Sequence, residues 1–214
     1  SISNIKIMDK TYDIKAIHKV LLKQDKTLGK WIKKLPEFNL QPSSRYFEIL
    51  ISSIISQQIS LKAAESIKKR VFDILQQNIT PKNVLACKDE DLRNCGLSWA
   101  KVNYVKNIAI HFEQNPEIYT KIDSLSDEAA IKALCEIKGV GEWTAQMFLM
   151  FTLVRLNVLP TGDIGFQNGV KQLYNLPNKP NKKELIAIGE NWQPYRSIAV
   201  WYIWRLLDNS EFSF

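Results

Sequence analysis

Histidine, cysteine and glycine are scarce in this 214-residue chain, which holds two, three and eight of them. Cys87, Cys95 and Cys135 are odd in number, spaced by eight and by forty residues, and form no CxxC pair. That pattern excludes the usual zinc and iron–sulfur frameworks and fits reduced thiols. Neither His18 nor His111 has a metal-ligand neighbour in the sequence, so each reads as a surface or helix-packing residue. No apolar run approaches the ~18 residues that a membrane span needs, and Ser1 to Lys10 carry no apolar signal region. A soluble, intracellular protein is expected. Strand periodicity, low-complexity stretches and short-period repeats are also missing.

What is present is a large apolar fraction, 45%, and an excess of 29 Lys and Arg over 22 Asp and Glu, for a net charge of +7. The first allows a substantial core; the second suits a polyanion partner, nucleic acid or an anionic membrane, as well as ordinary solubility.

The remaining pattern is helical. Residues 13–23 place Ile14, Ile17, Leu21 and Leu22 on one side. After a loop bracketed by Pro36 and Pro42, Ser43 or Ser44 is positioned to cap a long apolar helix, Arg45 to Ser56, which should be central because more than one face is apolar. The polar Ser56-Gln57-Gln58-Ile59-Ser60 interrupts it, and a new amphipathic pattern runs through Ala63, Ala64, Ile67, Val71, Phe72 and Leu75. Thr80-Pro81 starts a short helix, Ser98 opens another from Trp99 to Asn115, and Ser126 or Asp127 caps the next, to Ile137. Further helices are predicted from Glu142 to about Leu156, over 164–174 and 182–190, and from Tyr195 to Leu207. The fold class is all-α, in two helical lobes with a cleft between them. Lobe A spans about 40–120 and lobe B about 121–190, with residues 1–39 and the C-terminal helix packing in the other lobe from A.

The most pointed feature is Gly139-Val140-Gly141 between two helical patterns, with Asp163 twenty-two residues after Gly141. Two glycines around one apolar residue make a tight turn that exposes backbone N–H groups at a helix start, a site that suits a phosphate. Such a clamp carries no base information, so binding would be sequence-independent and salt-sensitive. Ala130, Leu134 and Ile137 before the turn and Trp143, Met147, Met150 and Val154 after it can pack together, which makes a plain helical corner the competing explanation. Asp163 stands in a short loop where it can cap the next helix or face the sugar of a bound strand.

The hairpin followed by Leu159-Pro160-Thr161-Gly162-Asp163 resembles the signature of the helix-hairpin-helix DNA glycosylase superfamily. Three further stretches are similar to its 3-methyladenine DNA glycosylase II branch. They are Ile55-Ser56-Gln57-Gln58-Ile59-Ser60 with Ala63-Ala64, Cys95-Gly96-Leu97-Ser98 with Lys101, and Trp192-Gln193-Pro194-Tyr195-Arg196-Ser197 with Trp201 and Trp204. The motifs fall in the family's order over roughly residues 40–207. The resemblance implies a monomeric base-excision repair enzyme acting on double-stranded DNA that contains alkylated bases, with no membrane partner. It would flip out N3- or N7-alkylated purines and hydrolyse the N-glycosidic bond. Asp163 would be catalytic, since a carboxylate, ionised at neutral pH, stabilises the oxocarbenium-like sugar or handles the attacking water. Trp204 and Trp143 would hold the electron-poor base by cation–π attraction, with Met147 beside them where relatives often have an aromatic residue.

By the same resemblance Gly139, Val140, Gly141 and Thr144 would contact DNA, and Gln58 would fill the gap left by the flipped base with Ile59 as its apolar neighbour; Lys101, by its charge, would reach phosphate. Trp143 stands where strand-nicking relatives carry a lysine, so no Schiff base and no lyase activity are expected. No cofactor is required; a structural Na⁺ or K⁺ on the carbonyls of Cys135, Ile137 and Val140 is implied. The residues before the match look helical, unlike the β-rich N-terminal domain of longer members, so a compact form is expected. A non-catalytic lesion-binding protein and a glycosylase for a different damaged base remain the alternatives.

Overall fold

The computed structural model describes residues 12–208. Among these residues every regular element is helical. In chain order they are α1 (Ile14–Gln24), α2 (Lys26–Ile32), α3 (Tyr46–Ser56), α4 (Leu61–Ile74), α5 (Pro81–Ala86), α6 (Asp89–Asn94), α7 (Trp99–Gln114) and α8 (Pro116–Lys121). A 3-10 turn, Ile122–Ser124, leads to α9 (Asp127–Cys135), α10 (Glu142–Phe151), α11 (Ile164–Leu173), α12 (Lys182–Glu190) and α13 (Arg196–Asp208).

The chain divides into two compact units, residues 43–148 and residues 1–42 with 149–214. This differs from the expected boundary near residue 120. The hairpin belongs to the first unit and Asp163 to the second, because the division falls inside α10, after Phe148.

In the unit of residues 43–148, α3 is central, as its two-faced apolarity predicts: Leu50, Ile51, Ile54 and Ile55 have no solvent exposure. It packs on α4 and α7, and α7 contributes Val102, Val105, Ile108 and Ala109 to the same core. Neither Ser43 nor Ser44 caps α3. The helix starts at Tyr46, its N-cap Arg45 makes no side-chain cap bond, and Ser43 Oγ accepts instead from the Arg45 N–H at 3.2 Å. Thr80 and Ser126 cap α5 and α9 as expected, accepting from the Asn83 and Ala129 N–H groups.

In the other unit α13 is the core element, with Ile198 through Ile203 buried. Helices α11 and α2 pack against it. Helix α2 was not foreseen: seven residues give too short a period to read. Its N-cap, Asp25, is buried; Oδ1 accepts from the Leu28 N–H at 2.9 Å, while Oδ2 accepts from the Tyr174 hydroxyl and, at 2.9 Å, from Trp192 Nε1. Helix α10 stops at Phe151, five residues before the expected end. Val154 adopts a left-handed φ of 52°, and the Arg155 N–H closes the helix end on the Leu149 carbonyl at 2.8 Å.

Candidate nucleic-acid interface and active site

The hairpin is built on the unit of residues 43–148. Past α9, the Ile137 N–H reaches the Leu134 carbonyl (3.1 Å) and the Val140 N–H reaches the Ile137 carbonyl (2.9 Å), forming the tight turn. Val140 is itself buried at 4% exposure, so its side chain is core and its N–H is engaged within the turn, not offered outward. Gly139 has φ of 106°, and a Cβ there would lie 2.5 Å from the Tyr104 ring. Sterics within the chain therefore require this glycine. Asn107 braces the same turn, its amide donating to the Lys138 carbonyl at 3.3 Å. Gly141 is different. Nothing lies within 4 Å of the place a Cβ would take, so no atom of the described chain demands a glycine there. Gly141 precedes α10, where the first-turn N–H groups have no helical acceptors.

A plain helical corner would bury Trp143 and Met147, and neither is buried. Trp143 is 45% exposed, while Thr144, Ala145, Phe148 and Leu149 are buried. Trp143 and Met147 instead line a cavity of about 560 Å³ with Ser53, Ser56, Gln57, Gln58 and Thr144. That size is within the usual range for small-ligand pockets, and none of its lining side chains is ionisable. A larger cavity, about 760 Å³, is lined by Arg70, Asp73, Cys87, Asp91 and Cys95 among others, and contains none of the predicted site residues.

Gln57 ends α3, and its Nε2 donates to Thr144 Oγ1 at 3.3 Å. The Thr144 side chain is thus buried against Gln57. Gln58 is exposed with a left-handed φ of 56°, an unusual conformation for a residue other than glycine. Ile59 is 37% exposed beside it. Lys101 does not extend outward either: its ammonium donates to the carbonyls of Ile55 (2.7 Å) and Gln57 (2.8 Å), and burial lowers its pKa. It fixes the loop that presents Gln58.

The second cluster is on the other unit. The loop before α11 is closed by hydrogen bonds from the Thr161 N–H to the Leu159 carbonyl and from the Asp163 N–H to the Pro160 carbonyl, each 3.0 Å. Gln167 Nε2 ties it further to the Thr161 carbonyl at 2.9 Å. Asp163 is the N-cap of α11: its Oδ1 accepts from the Phe166 N–H at 2.6 Å. The same oxygen accepts from Trp204 Nε1 at 2.9 Å. Two residues 41 positions apart thereby form one unit of carboxylate and indole. Their approach depends on close contact between α11 and α13. A Cβ on Gly169 would stand 2.3 Å from Ile203 Cγ2, and one on Gly165 would stand 3.3 Å from Asp163 Oδ1. The outer partner of Trp204 is Phe151, stacked at 5.6 Å and 18°, itself 40% exposed.

Sequence reasoning missed Phe151, Gly165, Gln167 and Tyr104. The first was read as mid-helix; the others carry no signal except the Asp-Ile-Gly and Gly-x-x-x-Gly spacing.

Residues 51–194 match the HhH-GPD superfamily base excision DNA repair protein family. The chain belongs to this superfamily. It has relatives in yeasts and bacteria. It is 32% identical over 93% of its length, and 96% of the relative's, to the alkylbase DNA glycosidase-like protein mag2 of Schizosaccharomyces pombe. Among solved structures it resembles a DNA-3-methyladenine glycosidase from Bacillus halodurans (TM-score 0.83, 35% identity, 92% of each chain). It also resembles the S. pombe 3-methyladenine DNA glycosylase Mag1 in complex with abasic DNA (TM-score 0.80, 29% identity, 93% of this chain and all of that one).

No group of three or more His, Cys, Asp or Glu side chains that could hold a metal occurs among the described residues. The expected alkali-ion ligands are main-chain carbonyls. Cys135 closes α9, where the last carbonyls lack helical donors, and the Ile137 carbonyl accepts one bond and keeps a second lone pair. No described helix is long and apolar enough to cross a membrane.

Proposed function

We propose that this HhH-GPD protein is a monofunctional DNA glycosylase that removes alkylated purines from double-stranded DNA in base-excision repair. The observation that carries the reading is the Asp163 carboxylate, held at the start of α11 by the Phe166 N–H and the Trp204 indole N–H. Cleavage of a glycosidic bond builds positive charge on the sugar, and a fixed carboxylate stabilises it without reorganising. The same group can orient or deprotonate the attacking water. Alkylated purines already carry positive charge and leave without acid assistance, so a site whose aromatic faces are Trp204 and Phe151 suffices for them. In the unit of residues 43–148, Trp143 and Met147 line a cavity with no ionisable side chain.

The duplex is gripped through main chain at Gly141 and the start of α10, where no atom of the described chain lies within 4 Å of the place a Gly141 Cβ would take. Gln58, exposed on a loop pinned by Lys101, fills the space of the extruded nucleotide. An alkali ion bound by the carbonyls of Cys135, Ile137 and Val140 would stiffen the turn and supply no chemistry. Trp143, where strand-nicking relatives carry lysine, leaves no amine for a Schiff base.

The test is base release from methylated duplex. Wild type frees 3-methyladenine or 7-methylguanine and leaves the strand intact until heated in alkali. Asp163→Asn binds DNA but releases nothing. Release by Asp163→Asn at the wild-type rate removes the carboxylate from the chemistry. Lesion binding without release by the wild type makes this a non-catalytic reader. Release confined to oxidised or mismatched bases changes the substrate class, and borohydride trapping of the enzyme on DNA overturns the monofunctional reading.

A further inference from the structure

The positive charge of this protein is concentrated in one place. Residues 12–35 contain seven lysines and two aspartates, a net of +5 out of +7 for the whole chain. Lys15, Lys19, Lys23, Lys26, Lys30, Lys33 and Lys34 are all exposed. None has a carboxylate within ion-pair distance among the described residues. Their placement is ordered. On α1, Lys15, Lys19 and Lys23 recur every four residues, while Ile17 and Leu21 are the buried positions. At 3.6 residues per turn the lysine stripe lies about 180° from that buried stripe. Helix α2 repeats the phase, with Lys26 and Lys30 outward and Leu28 and Ile32 buried.

The two acids within this stretch do not cancel the charge evenly. Asp13 caps α1 at its first turn, accepting from the Ala16 N–H at 3.0 Å. Asp25 is turned inward, its carboxylate engaged by Leu28, Tyr174 and Trp192. It therefore anchors the α1–α2 corner to the unit that carries Asp163 and leaves the outer face cationic. Within the chain, Lys34 lies over the Trp31 ring at 5.3 Å and Lys23 and Lys30 sit in last helical turns, where a cation is favoured, but the i, i+4 spacing itself is unfavourable. Like-charge pairs four residues apart destabilise a helix by about 0.2–0.5 kcal/mol each.

We propose that the outer face of α1 and α2 is a second DNA-binding surface, which holds the phosphate backbone of duplex outside the lesion contacts. A rise of about 6 Å between successive lysines of a stripe lets each meet a phosphate of one strand in turn. No aromatic or amide side chain alternates with the lysines of the α1 stripe, so the surface reads charge and not sequence. It raises the time spent on undamaged DNA and so the chance of reaching a lesion by sliding. The proposal rests on the glycosylase reading only for its purpose; the surface is measurable by itself.

The experiment uses the full chain and an undamaged 30-base-pair duplex, with affinity measured by fluorescence anisotropy from 50 to 200 mM salt. Each lost phosphate contact lowers the slope of log K against log salt by about 0.9. Lys15→Gln, Lys19→Gln, Lys23→Gln combined should lower it by about 2 to 3 and weaken binding at 50 mM at least tenfold. Thermal stability and single-turnover base release at saturating enzyme should match wild type, because none of these lysines is in the catalytic machinery. The control combines Lys179→Gln, Lys182→Gln and Lys183→Gln, also exposed and on the same unit. An unchanged slope in the first variant, or an equal fall in the control, overturns the proposal. So does a loss confined to binding of phosphatidylserine vesicles, which would make the face a membrane contact. If wild type releases no base from any lesion while the slope falls as stated, the glycosylase reading fails and the surface stands.

Discussion

Trp204→Phe separates two roles that the wild-type indole combines. The phenyl ring keeps the flat partner for Phe151, now stacked at 5.6 Å, but removes the Nε1–H donor that holds Asp163 Oδ1 at 2.9 Å. A hydrogen bond to a charged group contributes about 1.5–3 kcal/mol, and both side chains are only half-buried, so the lower end applies. The Phe166 N–H still holds the same oxygen. A loss of about 1.4 kcal/mol of orientation in the transition state is about tenfold in rate. The prediction is a single-turnover constant for 7-methylguanine release about tenfold below wild type, with affinity for the lesion duplex within about twofold. Trp204→Ala should lose affinity as well, since the aromatic pairing disappears. If Trp204→Phe reacts within about twofold of wild type, the indole N–H does not position the carboxylate, and Trp204 is only an aromatic face.

Two glycine substitutions should behave in opposite ways. Gly139→Ala must fit a Cβ 2.5 Å from the Tyr104 ring at φ of 106°, and should unfold at least 1–3 kcal/mol more easily in denaturant titrations. Gly141→Ala meets no atom within 4 Å, so stability should hold while duplex affinity falls; equal stability of the two variants would refute the distinction. Lys101→Met leaves the Ile55 and Gln57 carbonyls without their charged donor and should cost about 1.5–3 kcal/mol, yet leave the salt dependence of DNA binding unchanged; a lower slope would mean that the ammonium does reach phosphate. Burial lowers the pKa of His111, and of His18, below the ordinary 6.5. The unfolded chain then takes up protons first as pH falls below about 6.5, so stability declines toward pH 5. Replacing His111 by Leu should flatten that decline in a series of melting curves; an unchanged slope would exclude it as the cause.

The sequence made some parts legible because they obey local rules. Thr80 before Pro81 and Ser126 before an apolar period are cap signals, and both cap bonds form. Helix α10 shows where local rules stop. Glu142-Trp143-Thr144-Ala145-Gln146-Met147-Phe148-Leu149-Met150-Phe151 is apolar nearly all round, so its period cannot say which face turns inward. Tertiary packing buries Thr144, Ala145, Phe148 and Leu149 and leaves Trp143 out. Its end was equally hidden, because the left-handed Val154 breaks the preference of a β-branched residue. Lys101 was read as a phosphate contact from its charge, whereas its partners are carbonyls 44 and 46 residues away in sequence. The pairing of Asp163 with Trp204 follows from the absent side chains of Gly165 and Gly169, and a missing side chain leaves little trace in a sequence pattern.

An aspartate that caps a helix is usually explained by the cap, and Asp163 is one. For this residue the cap and the chemistry are not rivals. An N-cap needs only one acceptor oxygen and an extended backbone, here φ −77° and ψ 121°. Asparagine caps as well as aspartate does, and its carbonyl can take both N–H donors that now converge on Oδ1. The two donors dictate which way the amide must turn, so Asp163→Asn keeps these two bonds and removes the charge. Asp163→Ala loses the acceptor too and should be less stable by about 0.5–2 kcal/mol. The pair therefore assigns the rate loss. Asn as stable as wild type but inactive places the defect in the missing charge. If Asn is destabilised as much as Ala, the amide has not replaced the carboxylate in its two bonds, and the loss of activity no longer speaks for the carboxylate alone.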